Sequence, residues 1–327
     1  EEFINNGIAA HKIGKVIKEN KLKIKNQENE FLFDLEKYRD CWFYTSTLLD
    51  RKQTSNNLAE VRFKNYKNQP LKFKFPKNFN GSLIKLPSGK KPKAAILREK
   101  GSNSERELAN ALHIAGFDVK DIHMTDLISG KETLQDIKFL GAVGGFSNSD
   151  VLGSAKGWAG SFKYNDSAKN ALENFFSRKD TLSIGICNGC QLFMELDLIY
   201  PRHENHGKMT FNDSRKHESN FTSVKINTNN SIMLGSLEQL NLGVWISHGE
   251  GKFKLPYPKE NYNIVAEYGY PDYPSNPNGS DYNTAMLSSD DGRHLVTMPH
   301  IERSIFKWNW AYYCLLYTSP SPRDRVL

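Results

Sequence analysis

Short apolar runs separated by helical patterns constrain this chain more than any other feature. "AAIL" (94–97) leads into "SERELANALHIAGF", a helical pattern with Ser104 as N-cap and Gly116 as its close. "FLGAVGGF" (139–146) reads as a second strand ending in glycines, "AKNALENFFSR" (168–178) as a second helix and "TLSIGIC" (181–187) as a third strand. Short strands alternating with helices of this length imply βαβ units and a parallel sheet. The expected fold class is therefore α/β, with a mostly parallel central sheet flanked by helices. In such sheets the loops at the carboxyl ends of the strands build the site, and two of those loops are "GGFSNSD" and "GICNGCQ". From about residue 222 the texture turns strand-rich: "TSVKINT", "LGVWISHGEGKF", "YNIVAEYG" and "TAMLSSDDGRHLVTMPH", the last with Asp291-Gly292 as a hairpin turn.

A length of 327 residues with 38% hydrophobic content suits one large domain or two smaller ones. The sequence has no apolar run of about eighteen residues and no signal-peptide pattern at its start, which argues against a membrane and for a cytoplasmic protein. The absent initiator Met leads us to expect a piece of something longer. Cys41, Cys187, Cys190 and Cys314 are too few for a disulfide framework, so reduced thiols are expected. Residues 1–93 hold 20 Lys+Arg against 10 Asp+Glu, while the whole chain is only +7, so the remainder is net acidic. The basic stretch either grips phosphates or an acidic partner surface, or is a solvated lysine-rich face. It lacks the interleaved aromatics of a nucleic-acid surface, and no nucleic-acid partner is expected.

The charge step coincides with "PSGKKPK" (87–93), a linker or loop. Ahead of it, "FDLEKYRDCWFYTSTLLDRKQTSNNLAEVRFKNYKNQ" carries apolar residues at helical spacing and reads as a small helical N-terminal segment. At the other end, "CLLYTSPSPRDRVL" (314–327) has no period, and we expect it to be disordered or non-native.

Cys187 and Cys190 stand between glycines. A structural zinc site needs four ligands, and neither a second CxxC nor a His pair at ligand spacing lies nearby; a redox pair is a second alternative. The pattern Gly185-x-Cys187-x-Gly189 after an apolar strand instead fits a nucleophile elbow, where larger neighbours would clash. A thiolate at that turn gains from the helix N-terminus. Cys190, one turn further on, reads as packing, and a buried inert cysteine is the plain alternative for both.

A partner for the elbow stands in "MPHIER" (298–303). His300 and Glu302 lie two apart after the strand "HLVT", so their side chains project to one side of an extended segment. A histidine there can take the thiol proton, and a carboxylate can hold its tautomer. Backbone N–H groups of "GGF" (144–146) can join that of Asn188 as an oxyanion hole.

These residues carry a resemblance. "GICNGCQ", "GGFSNSDVLGSAKGWA", "ISHGEGKF" and "MPHIER" resemble the class I glutamine amidotransferase domain of the phosphoribosylformylglycinamidine synthase family, and "AILREKGSNSERELANALHIAGFDV" resembles that domain's opening strand and helix. The likeness covers about 94–313 and implies a flavodoxin-like class I amidotransferase fold. Residues 32–80 resemble the stretch that precedes this domain in the long single-chain form. By that resemblance 1–93 is the end of a synthetase portion plus linker, 94–313 the amidotransferase domain and 314–327 a tail foreign to the family.

The resemblance implies that Cys187 attacks the side-chain amide of L-glutamine, that His300 is base and then acid, and that Glu302 orients it. A γ-glutamyl thioester forms, and the released ammonia is used by synthetase domains of the same polypeptide. Gly144, Gly145, Phe146 and Asn188 match the oxyanion-hole region, Gln191 the glutamine loop, and His248 either lines the site or packs. The resemblance implies no cofactor here, with ATP and magnesium held by the synthetase domains. Two alternatives use the same fold: a stand-alone cysteine hydrolase or peptidase, and a catalytically silent regulatory subunit.

Overall fold

The computed structural model describes residues 2–68, 73–76 and 89–311. They divide into two compact units, one up to Gln53 and one from Thr54 onward.

In the first unit a short helix α1 (Glu2–Asn5) precedes a hairpin of β1 (Lys21–Asn26) and β2 (Asn29–Asp34), paired in antiparallel register from Lys21↔Asp34 to Asn26↔Asn29. Gln27 takes a positive φ of 52° at the turn. The alternating "KLKIKN" was not read as a strand, because the lysines mask its period. Helix α2 (Leu35–Gln53) follows at once, with the Asp34 carboxylate accepting the Lys37 N–H at 3.0 Å. The expected helical stretch is thus present, and it is cut after Gln53. Asn56 and Asn57 both adopt left-handed φ, 58° and 57°, a conformation Asn tolerates better than most residues and one that no helix can carry.

The second unit opens with α3 (Leu58–Asn65). Its main body is a nine-stranded sheet in the order β4-β3-β5-β6-β13-β12-β11-β8-β9. β3 (Lys93–Arg98), β4 (Asp118–His123), β5 (Phe139–Ala142), β6 (Leu182–Ile186) and β13 (His294–Thr297) run parallel. Beyond β13 the pairing turns antiparallel through β12 (Thr284–Ser288), β11 (Asn263–Tyr268), β8 (Glu218–Ile226) and β9 (Asn241–His248). A two-stranded ribbon of β7 (Lys208–Thr210) and β10 (Lys252–Lys254) stands apart.

The helices are α4 (Glu105–Ile114), α5 (Met124–Ile128), α6 (Lys156–Lys163), α7 (Asp166–Ser177) and α8 (Asn188–Glu195). The strands foreseen as β3, β5 and β6 and the helices foreseen as α4 and α7 are all present. β5 is buried along its whole length and β3 over Ala94–Leu97, as an apolar run covered on both faces must be. α4 presses close: a Cβ on Gly141 would meet Leu108 Cδ2 at 2.7 Å. The β12–β13 hairpin turns where expected, with Gly292 at φ 73° and Ser289 N–H donating to the His294 carbonyl at 2.8 Å.

Residues 54–65 are tied into this larger unit. Arg62 pairs with the buried Glu218 of β8 at 2.7 Å and lies 4.7 Å from the centre of the Tyr273 ring, whose hydroxyl donates to Glu218 at 2.9 Å. Asn65 donates to the Tyr273 carbonyl at 2.8 Å. The first two residues of "PSGKKPK" and all of 314–327 lie outside the described residues.

Candidate active site

The carboxyl ends of β3, β5, β6 and β13 lie along one edge of the sheet, and the end of β9, which runs in the same sense, joins them. The site residues foreseen in the sequence gather there.

Cys187 stands between β6 and α8 with φ 51° and ψ −104°, a conformation a non-glycine residue holds only under strain. Both flanking glycines are required sterically. A Cβ on Gly185 would come within 2.5 Å of the Gly189 carbonyl oxygen, and one on Gly189 within 2.1 Å of the Ala142 carbonyl oxygen. The elbow is fixed from a third side by Cys187 N–H, which donates to the Thr297 carbonyl at the end of β13 at 2.8 Å.

His300 and Glu302 are both buried, and His300 Nδ1 lies 2.6 Å from Glu302 Oε1. The expectation of an extended segment needs correction: His300 has φ −86° and ψ 85°, and Ile301–Arg303 form a 3-10 turn. The turn, and not strand alternation, swings the carboxylate back to the imidazole. His300 is held by its own N–H, which donates to the Trp245 carbonyl of β9 at 2.8 Å. Burial works against a charged imidazole here. The charges of Cys187 and Glu302, each also hydrogen-bonded to the ring, outweigh burial and push its pKa up to about 10. Cys190 is wholly buried, and desolvation, followed by the neighbouring Cys187, raises its thiol well above the ordinary value.

Gly144 lies between these groups. A Cβ there would be 2.7 Å from His300 Cε1, 3.3 Å from Cys187 Cβ and 3.3 Å from Ser104 Oγ. Gly145 has φ 125° and its Cβ would strike Ser102 and Asn103 backbone at 2.5 Å. Among the described residues the N–H groups of Gly145 and Asn188 donate to no acceptor. The Phe146 N–H differs from expectation: it donates to the Gly101 carbonyl at 2.9 Å, which removes it from the donor set while that bond holds. Ser104 occupies the N-cap position of α4, but at φ 65° its side chain makes no capping bond.

Asn188 and Gln191 form an internal brace. Ser147 N–H donates to Asn188 Oδ1 at 3.2 Å, Asn188 Nδ2 to Gln191 Oε1 at 2.9 Å, and Gln191 Nε2 to the Glu250 carbonyl at 2.7 Å. His248 is buried at the end of β9; desolvation, with the imidazoles of His300 and His217 nearby, depresses its pKa to about 3 and keeps it neutral. Its carbonyl accepts Asn212 Nδ2 at 2.7 Å.

Several residues of the site went unforeseen. Ser247 O lies 3.7 Å from Cys187 Sγ, while Ser247 Oγ lies 3.0 Å from His217 Nε2, and the His217 ring packs 5.9 Å from that of Phe146. Asp150 and Glu250 share Ser154, which gives its hydroxyl to the first at 3.1 Å and its N–H to the second at 3.2 Å. Burial, and then the Glu250 charge, raise the Asp150 pKa. None of these sits in a short spacing pattern, so nothing local in the sequence marks them. Among the described residues no group of three or more His, Cys, Asp or Glu side chains is arranged to hold a metal ion.

Residues 91–320 match the family model of the CobB/CobQ-like glutamine amidotransferase domain. The chain is 39% identical over 310 residues to the probable phosphoribosylformylglycinamidine synthase of Caenorhabditis elegans, covering 86% of this chain and 23% of that protein. To the phosphoribosylformylglycinamidine synthase of Homo sapiens it is 38% identical over 320 residues, covering 86% of this chain and 24% of the relative. It thus spans about a quarter of the length of these relatives. The structure of PurLQS from Thermotoga maritima shares the fold at a TM-score of 0.55 and 24% identity, over 67% of this chain and 92% of that one.

Proposed function

This chain belongs to the CobB/CobQ-like glutamine amidotransferase family, and from that premise we propose that it is the glutaminase part of a phosphoribosylformylglycinamidine synthase acting in purine biosynthesis. In this reading 94–313 is the glutaminase domain and 1–93 the end of a synthetase portion with its linker. L-Glutamine is the substrate, and the ammonia acceptor is formylglycinamide ribonucleotide, bound by the synthetase portion. ATP and magnesium belong to that portion as well, and the enzyme works in the cytoplasm.

The observation that carries the reading is the hydrogen bond between buried His300 and Glu302, set against a cysteine on a strained elbow. With the proton already held on His300, the Cys187 thiolate attacks the amide carbon of glutamine. The developing oxyanion meets the N–H groups of Gly145 and Asn188. His300 then protonates the leaving nitrogen, ammonia departs, and a γ-glutamyl thioester remains. Water adds to the thioester with His300 as base, releasing glutamate and restoring the Cys187 thiolate beside protonated His300. Glu302 holds the imidazole tautomer throughout.

The test is glutamate release from glutamine by the full chain, supplied with the synthetase portion, ATP and acceptor. Cys187→Ala is expected to abolish release and Cys190→Ser to retain most of it. Equal loss in both variants would overturn the assignment, as would an electrophilic glutamine analogue labelling any residue other than Cys187.

A further inference from the structure

Loop 99–104, between β3 and α4, belongs to none of the roles assigned above, yet it carries the segment that follows β5, which it meets in an isolated bridge between Ser102 and Gly145. Asn103 N–H donates to the Gly144 carbonyl at 2.7 Å, Phe146 N–H to the Gly101 carbonyl at 2.9 Å, and Asn148 N–H to both the Lys100 carbonyl and Glu99 Oε2 at 3.0 Å. The approach is close enough that a Cβ on Gly101 would lie 2.3 Å from the Phe146 carbonyl oxygen. Glu99 is itself buried, so its bond to Asn148 is shielded from water.

The side chain of Asn103 faces a second partner. Its Oδ1 accepts Arg303 Nη2 at 3.0 Å, and Arg303 Nε stands 3.8 Å from Glu302 Oε1 and 3.8 Å from Glu107 Oε1 of α4. The contacts close a ring. Gly144 is held by Asn103, Asn103 by Arg303, Arg303 sits beside Glu302, Glu302 holds His300, and His300 Cε1 returns to within 2.7 Å of where a Gly144 Cβ would stand. Glu302 Oε2 is buried and has no hydrogen-bond partner among the described residues, and Arg303 stands beside that carboxylate as a second cation after His300.

We propose that Asn103 and Arg303 are a pair of positioning residues that lock the His300–Glu302 pair in register with the Gly144–Ser147 segment. The pair touches no reacting atom. It fixes the distance between the proton-transfer group and the oxyanion donors, two parts that come from strands far apart in sequence. A guanidinium suits the joint because its planar group gives Nη2 to Asn103 Oδ1 while its charge stays beside the Glu302 carboxylate, a fixed geometry that a flexible ammonium holds less well. The inference rests on the glutaminase reading for its catalytic consequence, but the coupling itself is a property of the fold.

The experiment measures both in the full chain. Hydrogen–deuterium exchange of peptides covering 143–148 reports the coupling without any need for activity. Arg303→Ala, which removes no group touching that segment, is expected to speed exchange there at least about threefold, with Arg303→Lys intermediate and Glu107→Ala unchanged. In glutamate release, Asn103→Ala and Arg303→Ala should each lower kcat about fivefold with KM unmoved, and the double variant should lose no more than either alone. Unchanged exchange in 143–148, or losses that multiply in the double variant, would overturn the joint. A parent chain with no glutamate release even beside its synthetase portion would refute the glutaminase reading instead, and exchange would still decide the coupling.

Discussion

Replacing Gly189 by Ala tests how tightly the elbow is seated. The new methyl would stand 2.1 Å from the Ala142 carbonyl oxygen, 2.4 Å from its carbon and 2.8 Å from its Cβ, where ordinary contact begins at 3.4 Å. Two of the three obstacles are backbone atoms of β5, a strand paired on both sides, so they cannot swing away as a side chain would. The start of α8 must retreat by more than an ångström. Such overpacking costs about 1–3 kcal/mol. The retreat also stretches the 3.2 Å bond between Ser147 N–H and Asn188 Oδ1, losing about 1 kcal/mol more. Alanine returns at most about 1 kcal/mol of helix propensity, and less in a first turn. The balance is a destabilisation of about 2 kcal/mol, or a fall in Tm of roughly 4–8 °C. Gly160→Ala is the matched control: the same methyl, in α6, with nothing within 4 Å, should raise stability by about 0.5–1 kcal/mol. Thermal unfolding by circular dichroism, checked against urea midpoints, reads both. A Gly189→Ala chain melting at or above the parent, or a Gly160→Ala chain falling as far, would refute the reasoning.

Arg62→Ala strands the buried Glu218 with only the Tyr273 hydroxyl for company, and a loss of about 2 kcal/mol is expected in urea unfolding, below the range of about 3–5 kcal/mol for a fully buried pair because Arg62 is partly exposed. Arg62→Ala combined with Glu218→Gln should recover part of it. His294 is pressed to a pKa of about 4, by burial first and then by Arg293, with its ring 4.4 Å from that of Phe176. From pH 6.5 down to 4 the unfolded chain takes up this proton and the folded one does not. Stability therefore falls with falling pH across that window, by about 3 kcal/mol at most from this residue. His294→Gln should flatten, without abolishing, the acid limb of a stability–pH curve, since His248 acts in the same direction; an unaltered slope would rule out His294 as a contributor.

The parallel half of the sheet and its elbow were legible because their signals are local. An apolar run, a helical period and two glycines around a cysteine each fit within a dozen residues. Cys187 and His300 could be paired on paper only because each is the kind of residue the other needs. The way Glu302 reaches His300 was misjudged: a spacing of two reads as a strand, whereas His300 leaves extended geometry and a 3-10 turn follows. The N-cap role of Ser104 failed for a similar reason, since nothing in "GSNSERE" announces a left-handed φ of 65° at that serine. Asn103, Arg303, His217 and Glu250 were out of reach, because the contacts that give them their roles join residues far apart in the chain, Asn103 to Arg303, His217 to Ser247 and Glu250 to Ser154. The antiparallel half is visible as strands, but not in its order, which is set by long-range pairing.

That order has a consequence for how the chain is made. β13 is the last strand in sequence and yet lies in the middle of the sheet, between β6 and β12. A ribosome that has delivered Cys187 must add another 113 residues before His300 exists. At cellular elongation rates the interval is on the order of ten seconds. Throughout it β6 has no neighbour on that side and presents a row of unpaired backbone groups, and β12, complete only at Ser288, adds a second open edge for the last stretch, the kind of edge that recruits other chains. Closing the gap hides both edges at once and delivers the histidine to the cysteine in the same event, so a nascent chain carries its thiol for its whole vulnerable period without the base that would arm it.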